Sequence, residues 1–254
     1  QAVTIAKQIK NGQVVTVGTG LPLIGASVAK RVYAPDCHII VESGLMDCSP
    51  VEVPRSVGDL RFMAHCGCIW PNVRFVGFEI NEYLHKANRL IAFIGGAQID
   101  PYGNVNSTSI GDYHHPKTRF TGSGGANGIA TYSNTIIMMQ HEKRRFMNKI
   151  DYVTSPGWID GPGGRERLGL PGDVGPQLVV TDKGILKFDE KTKRMYLAAY
   201  YPTSSPEDVL ENTGFDLDVS KAVELEAPDP AVIKLIREEI DPGQAFIQVP
   251  TEAK

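Results

Sequence analysis

Short apolar runs and helical repeats alternate along the first half of this chain. Val14-Val15-Thr16-Val17 has strand length, and Ile24, Val28 and Val32 then recur every fourth residue, the spacing of one helix face. Ile39-Ile40-Val41 is again short and β-branched, and it stops at the turn-prone pair Ser43-Gly44, as a buried parallel strand does. Residues 74–78, 90–94 and 135–139 supply further strands, with a helix-like stretch at 79–88. The alternation predicts an α/β fold, an open and mostly parallel sheet flanked by helices.

The pattern changes near Gln177. Leu178-Val179-Val180, Ile185-Leu186-Lys187-Phe188 and Met195-Tyr196-Leu197 are separated by Asp182-Lys183-Gly184 and the polar stretch 189–193, which predicts an additional antiparallel meander. Helix starts return at Ser205-Pro206 and Asp229-Pro230, each an N-cap residue followed by proline at the first helical position. The second leads into Val232, Ile236 and Ile240 on one face and ends at Pro242-Gly243. Residues 157–175 are rich in Gly, Pro and charge and read as a long surface loop or an interface arm.

The second strand delivers a carboxylate into a turn. In open α/β sheets, ligands collect beyond the carboxyl ends of the strands, and Glu42 stands at such an end in His38-Ile39-Ile40-Val41-Glu42-Ser43-Gly44-Leu45. A solvated strand-end carboxylate is the ordinary alternative, so the case for a nucleophile depends on the rest of the chain.

With 254 residues and 42% hydrophobic content, the chain can bury a substantial core, as one large α/β domain or two small ones. A formal net charge of -3 leaves no basic footprint for nucleic acid. No apolar run approaches the roughly 18 residues of a membrane span. The sequence opens at Gln1 without a Met, which leaves the completeness of the N-terminus open; without a signal-like segment, a cytoplasmic protein is expected. Cys37, Cys48, Cys66 and Cys68 lie in a chain too large to need disulfide stapling and read as free thiols. Cys66-Gly67-Cys68 lacks the two-residue spacer of zinc and redox pairs, and Arg145 stands where a zinc-protease helix opening at His141-Glu142 needs its second His. No metal site is expected.

Three glycine-rich stretches could serve chemistry. Gly18-Thr19-Gly20-Leu21-Pro22-Leu23 follows a strand and precedes a helix, but Leu23 occupies the third-glycine position of a dinucleotide fingerprint. A tight packing turn is as good a reading, with a substrate-lining loop at Gly20 and Leu21 as the functional one. Thr121-Gly122-Ser123-Gly124-Gly125-Ala126-Asn127-Gly128 can aim backbone N–H groups into one concavity and hold an oxyanion. Thr121 breaks the Gly-x-Ser-x-Gly pattern, so Ser123 is not read as a nucleophile. The third stretch runs from Gly95-Gly96-Ala97-Gln98 through Asp100-Pro101-Tyr102-Gly103-Asn104 to Asn106.

Taken with Glu42-Ser43-Gly44 and Gly122-Ser123-Gly124-Gly125-Ala126, this third stretch closely resembles the family I coenzyme A transferases, in the right order and over nearly the whole chain. The resemblance implies a single B-type domain over 1–254, with Glu42 as the covalent nucleophile. Relatives of the succinyl-CoA type carry Glu-Asn-Gly, and Ser43 makes this motif more like the glutaconate type of glutamate fermentation. The implied substrates are a short acyl-CoA and a dicarboxylic acid such as glutaconate or 2-hydroxyglutarate. CoA is then a substrate, and no cofactor is needed. Gly124, Gly125 and Ala126 are the candidate oxyanion donors, and Gly20, Leu21, Ser43 and Gly44 the candidate substrate contacts.

Complete enzymes of that family contain two similar halves, so the resemblance also implies a partner, an A-type chain of the same enzyme, in a hetero-oligomer of A-B pairs. The basic stretch Lys143, Arg144, Arg145 and Lys149 could meet CoA phosphates, although charge runs are more often solvated or at contacts. Tyr113 and Arg119 are weaker candidates for the acid pocket. Two other functions stay open: acyl-CoA hydrolysis on the same fold, and a noncatalytic ligand-sensing module. Hydrolases of this fold lack the motif glutamate, and the sequence has no appended basic helix-turn-helix pattern, which disfavours both.

Overall fold

The computed structural model describes residues 1–69 and 89–247. The strand expected at 74–78 and the helix expected at 79–88 lie outside the described residues. These residues form two compact units, one holding 1–69, 89–91 and 228–247, the other 92–227.

The first unit begins with a short helix, α1 (Ala2–Ala6), followed by β1 (Val14–Thr16). α2 (Leu21–Val28), prolonged by a π-helical turn at Ala29–Tyr33, crosses over to β2 (His38–Val41). β1 and β2 run parallel, with Val14 opposite His38 and Thr16 opposite Ile40. Both are almost wholly buried, which is why their sequences are continuous apolar runs rather than alternating ones. Gly25 lets α1 press onto α2, because a Cβ there would lie 2.6 Å from Ile5. β2 then doubles back into β3 (Leu45–Met46), and β4 (Cys68–Ile69) adds a second antiparallel pair.

Between β3 and β4, Asp59 caps α3 (Leu60–Ala64) by accepting from Arg61 N at 3.0 Å. The C-terminal helix, Pro230–Leu235, is capped by Asp229, which accepts from Ala231 N at 2.8 Å. It continues as a π-helical turn, Ile236–Ile240, packed on α2. Val232, Ile236 and Ile240 are buried, as their spacing predicts.

The second unit takes the last four residues of β5 (Leu90–Gly95). Two small hairpins follow, β6 (Gln98–Ile99) with β7 (Val105–Asn106) and β8 (Ser109–Ile110) with β9 (Thr118–Arg119). α4 (Ala126–Tyr132) leads to β10 (Thr135–Met138), which pairs in parallel with β5 on one side and with β11 (Pro176–Val180) on the other. α5 (Gly164–Arg167) lies within the β10–β11 connection. β11, β12 (Gly184–Phe188) and β13 (Met195–Tyr200) form the expected antiparallel meander. α6 (Pro206–Glu211), capped by Ser205, leads to β14 (Val223–Glu224), parallel to β13. Ile94, Ile137, Val179, Leu186 and Leu197 of the strands close the core with Ile129 of α4 and Phe146. The fold is thus α/β, a mostly parallel mixed sheet with flanking helices and an antiparallel meander.

Two local expectations change. The stretch 157–175 is not a surface loop throughout: Gly157 and Arg165 are buried, and a Cβ at Gly157 would lie 2.3 Å from Gly103 backbone. The glycine loop at 121–128 is shorter than its composition suggests, because helix begins at Ala126 and buries Gly128, Ile129 and Ala130.

Candidate functional site

Glu42 occupies the first position of the three-residue turn that joins β2 to β3. Gly44 N donates to Val41 O at 2.9 Å, and Gly44 adopts φ 97°, a region that favours glycine. β2 and β3 therefore fix both ends of the turn, and the side chain leaves it half-buried at the carboxyl end of a parallel strand. Ser43 is exposed, and its hydroxyl donates to Val57 O at 3.0 Å, tying the turn to the segment before α3. Gly44 itself is buried.

The turn after β1 leaves the same end of the neighbouring strand, since Val17 N donates to Ile40 O at 3.1 Å. Gly20 has φ 93° and ψ -148°, a conformation restricted to glycine, and its carbonyl accepts from Leu23 N and Ile24 N to start α2. Gly20 and Leu21 are partly exposed there. The first unit thus brings Glu42, Ser43, Gly44, Gly20 and Leu21 to one end of adjacent strands.

Gly124, Gly125 and Ala126 belong to the second unit. Gly122 and Gly124 have φ 93° and 51°, and the loop turns back on itself through Ala126 N, which donates to Ser123 O at 3.0 Å. The Ser123 hydroxyl donates to Gly124 O at 3.0 Å and so ties the loop together.

The far end of α4 is held by Arg165, which is 1% exposed. Its Nε donates to Pro171 O at 2.7 Å, one terminal nitrogen to Pro156 O and Gly157 O, and the other to Ala130 O and Thr131 O. All five guanidinium donors therefore meet carbonyls, two of them in the last turn of α4, where a cation also suits the helix dipole. Burial pulls its pKa down to about 10, opposed by Glu166 and Asp173, which leaves it charged near neutrality. Nothing in a Gly/Pro-rich sequence signals such an arginine.

The Asp100 to Asn104 motif is scaffold. Asp100 accepts from Tyr102 N, Asn104 N and the Asn104 amide, while Asn104 also donates to Ile159 O and accepts from Gly157 N. The motif pins the 157–159 segment to the β6–β7 hairpin. Burial raises the Asp100 pKa against those hydrogen bonds.

The other candidates separate by environment. His141 is buried against Phe146, its ring nitrogens 3.2 Å from Thr181 Oγ1 and 3.0 Å from Thr213 Oγ1. Burial pushes its pKa down to about 4. In the basic stretch, Arg144 and Arg145 both pair with Glu142, at 2.7 and 2.9 Å. Tyr113 stacks on Tyr152 with ring centroids 5.1 Å apart, and the Arg119 guanidinium lies 4.8 Å from the Tyr113 ring, a cluster on the surface of the second unit. All four cysteines are free thiols. Burial, reinforced by Cys66, pushes Cys48 up to about 12, which leaves it an inert thiol. Among the described residues there is no group of three or more His, Cys, Asp or Glu able to hold a metal, and no helix long and apolar enough to cross a membrane.

The sequence model of the family described as coenzyme A transferase matches residues 1–212. The chain is 34% identical over 238 residues to the B subunit of the 3-oxoadipate CoA-transferase of Pseudomonas knackmussii, covering 92% of this chain and 89% of that protein. It is 26% identical over 232 residues to the cholesterol ring-cleaving hydrolase IpdB subunit of Mycobacterium tuberculosis, covering 88% and 85%. In fold it is similar to the crystal structure of the decarboxylase AibA/AibB, with a TM-score of 0.78 at 21% identity over 96% of this chain and 94% of that one.

Proposed function

Because the chain belongs to the coenzyme A transferase family, we propose that it is the nucleophile-bearing B-type half of an enzyme that moves CoA between a short acyl-CoA and a dicarboxylic acid. The carrying observation is Glu42, held in a glycine-closed turn at the carboxyl end of a buried parallel strand. Its carboxylate attacks the thioester carbonyl and expels CoA thiolate, leaving a mixed anhydride. The thiolate then attacks the glutamyl carbonyl, which releases the first acid and leaves CoA joined to Glu42 as a thioester. A second acid runs the two steps in reverse and departs as the new acyl-CoA. Each thioester bond broken is replaced by an activated anhydride or a new thioester, so the energy of the thioester is kept and neither ATP nor a metal is required, and CoA is a substrate rather than a cofactor.

Each step passes through a tetrahedral oxyanion. Backbone donors from Gly124, Gly125 and Ala126 are assigned to it. Losing one well-aimed donor typically costs about a hundredfold to a thousandfold in rate. Gly20, Leu21, Ser43 and Gly44 are assigned to substrate contact. Water must be excluded, because hydrolysis of the anhydride or thioester wastes the bond being moved. An A-type chain completes the pocket in a hetero-oligomer of A-B pairs, in the cytoplasm, with 1–254 acting as one B-type domain. The curated relatives are themselves named as subunits.

The acid is assigned to the glutaconate and 2-hydroxyglutarate class on the Ser43 variant of the motif. The relative named for 3-oxoadipate supports a dicarboxylic acid while leaving its chain length to experiment. Hydrolysis is the second reading, supported by the ring-cleaving hydrolase relative. The A-B complex, given glutaconyl-CoA and then borohydride, should show the Glu42 side chain reduced to an alcohol in a CoA-dependent manner. Glu42→Gln, assayed before it deamidates, should abolish transfer with an unchanged melting temperature. Consumption of acyl-CoA without any acceptor acid and without modification of Glu42 would establish hydrolysis instead.

A further inference from the structure

The first unit contains a polar arrangement that the transfer steps leave unused. Asp241 follows the C-terminal helix and is 2% exposed. One carboxylate oxygen accepts from Ala245 N at 2.7 Å, the other from Phe246 N at 3.0 Å and Ile247 N at 2.9 Å. Gln244 N also donates to Asp241 O at 3.0 Å. A single buried carboxylate therefore winds 241–247 into a tight loop. The base of that loop is fixed where Ile240 O accepts from Val53 N at 2.7 Å.

The loop lays the Phe246 ring on Gly20. A Cβ at Gly20 would sit 3.8 Å from the ring, ordinary van der Waals contact, so the ring rests on the turn without crowding it. Phe246 remains 36% exposed, an aromatic face left partly in water beside that turn. The Gly20 turn and the Glu42 turn leave the same end of adjacent parallel strands. The segment that meets Ile240 at Val53 also receives the Ser43 hydroxyl at Val57. One continuous belt thus links the Glu42 turn, residues 53–57, the Asp241 loop, Phe246 and Gly20.

We propose that Phe246 is the apolar wall of the acid subsite and sets the length of carbon chain accepted, with Asp241 as the positioning residue that holds it. The inference rests on the transfer reading of Glu42. A dicarboxylic acid reacting at Glu42 whose methylene chain runs past the end of the adjacent strand β1 meets Gly20 and Phe246, and pockets bind such chains on aromatic and aliphatic walls. Polar donors alone would not discriminate between homologous diacids that differ only in methylenes.

The test uses the A-B complex with acetyl-CoA as donor and succinate, glutarate and adipate as acceptors. Phe246→Ala should shift the ratio of kcat/KM values towards the longer acids by roughly tenfold, the size of effect one methylene has in an apolar pocket. Phe246→Trp should shift it towards the shorter ones. Asp241→Asn should move the ratio in the same direction as Phe246→Ala, by less. Borohydride trapping at Glu42 by acetyl-CoA should remain detectable in both Phe246 variants. A folding defect lowers all three acids alike, so uniform loss with an unchanged ratio overturns the inference. Unchanged ratios with Glu42 still trapped overturn it alone, whereas absence of trapping in the wild-type complex overturns the transfer reading and this inference with it.

Discussion

Arg165 shows how a single side chain can organise a segment that composition marks as loop. Its five donors meet five carbonyls from three stretches of chain, so Arg165→Met leaves those acceptors buried without partners. A loss of about 3 kcal/mol or more is expected from such unpaired groups in denaturant melts, with Arg165→Lys intermediate because an ammonium has only three donors. Equal stability of the Met variant and the wild type would show that the carbonyls find other partners. His141 makes a different prediction, in acid. Its folded pKa is depressed to about 4 by burial, with Asp182 and Asp208 opposing and Lys183 adding to the shift. The unfolded chain therefore binds the proton more readily. Stability is fully present above an unfolded pKa of about 6.5 and is lost as pH falls towards 4, by up to about 1.4 kcal/mol for each pH unit. His141→Gln should be less stable at neutral pH yet flatter across that window, and an unchanged slope would assign the acid lability to other groups. The turn that carries Glu42 and the glycine-rich turns are legible from residue type and spacing. Arg165 and Asp241 are not, because their meaning lies in carbonyls and amides that no side-chain pattern reveals.

At the scale of elements, the strands that can be read from sequence are the long buried ones. β1, β2, β5, β10 and the β11–β13 meander announce themselves because several consecutive positions are apolar and the breaks between them are polar or glycine-rich. The pairs β3–β4, β6–β7 and β8–β9 are two residues per strand, too short for any period to show. One of these unreadable strands matters for the proposed chemistry, since pairing of β2 with β3 turns a strand end into the hairpin that carries Glu42. Gly44 closes that hairpin at positive φ. Gly44→Ala must either adopt a conformation costing roughly 1–2 kcal/mol or open the turn and re-aim the carboxylate. We expect kcat for transfer to fall about tenfold or more, with a matching drop in the rate of borohydride-trappable CoA loading. A variant that melts earlier but loads at the wild-type rate would make Gly44 a structural residue only.

At the scale of the whole molecule, activity depends on how much of the site one chain can supply. Under the proposed reading this chain offers Glu42 and a glycine loop, but its formal charge of -3 provides no general attraction for the phosphates of CoA. Within the basic stretch, Arg144 and Arg145 already share Glu142. Under the A-B assignment the A-type chain supplies further cations. The isolated B-type chain should then load Glu42 with CoA at least a hundredfold more slowly than the complex at equal acyl-CoA, since a bound and oriented thioester is worth several orders of magnitude over a diffusing one. Adding the A-type chain should restore both loading and transfer, with activity saturating at equal amounts of the two chains. The KM for acyl-CoA in the complex should rise with salt, because phosphate contacts made by exposed cations are screened. Stopped-flow loading of this chain alone, titrated with its A-type partner, measures the first two effects together. Full specific activity from this chain by itself would show that it completes its own site, and the pairing with a second kind of chain would have to be abandoned.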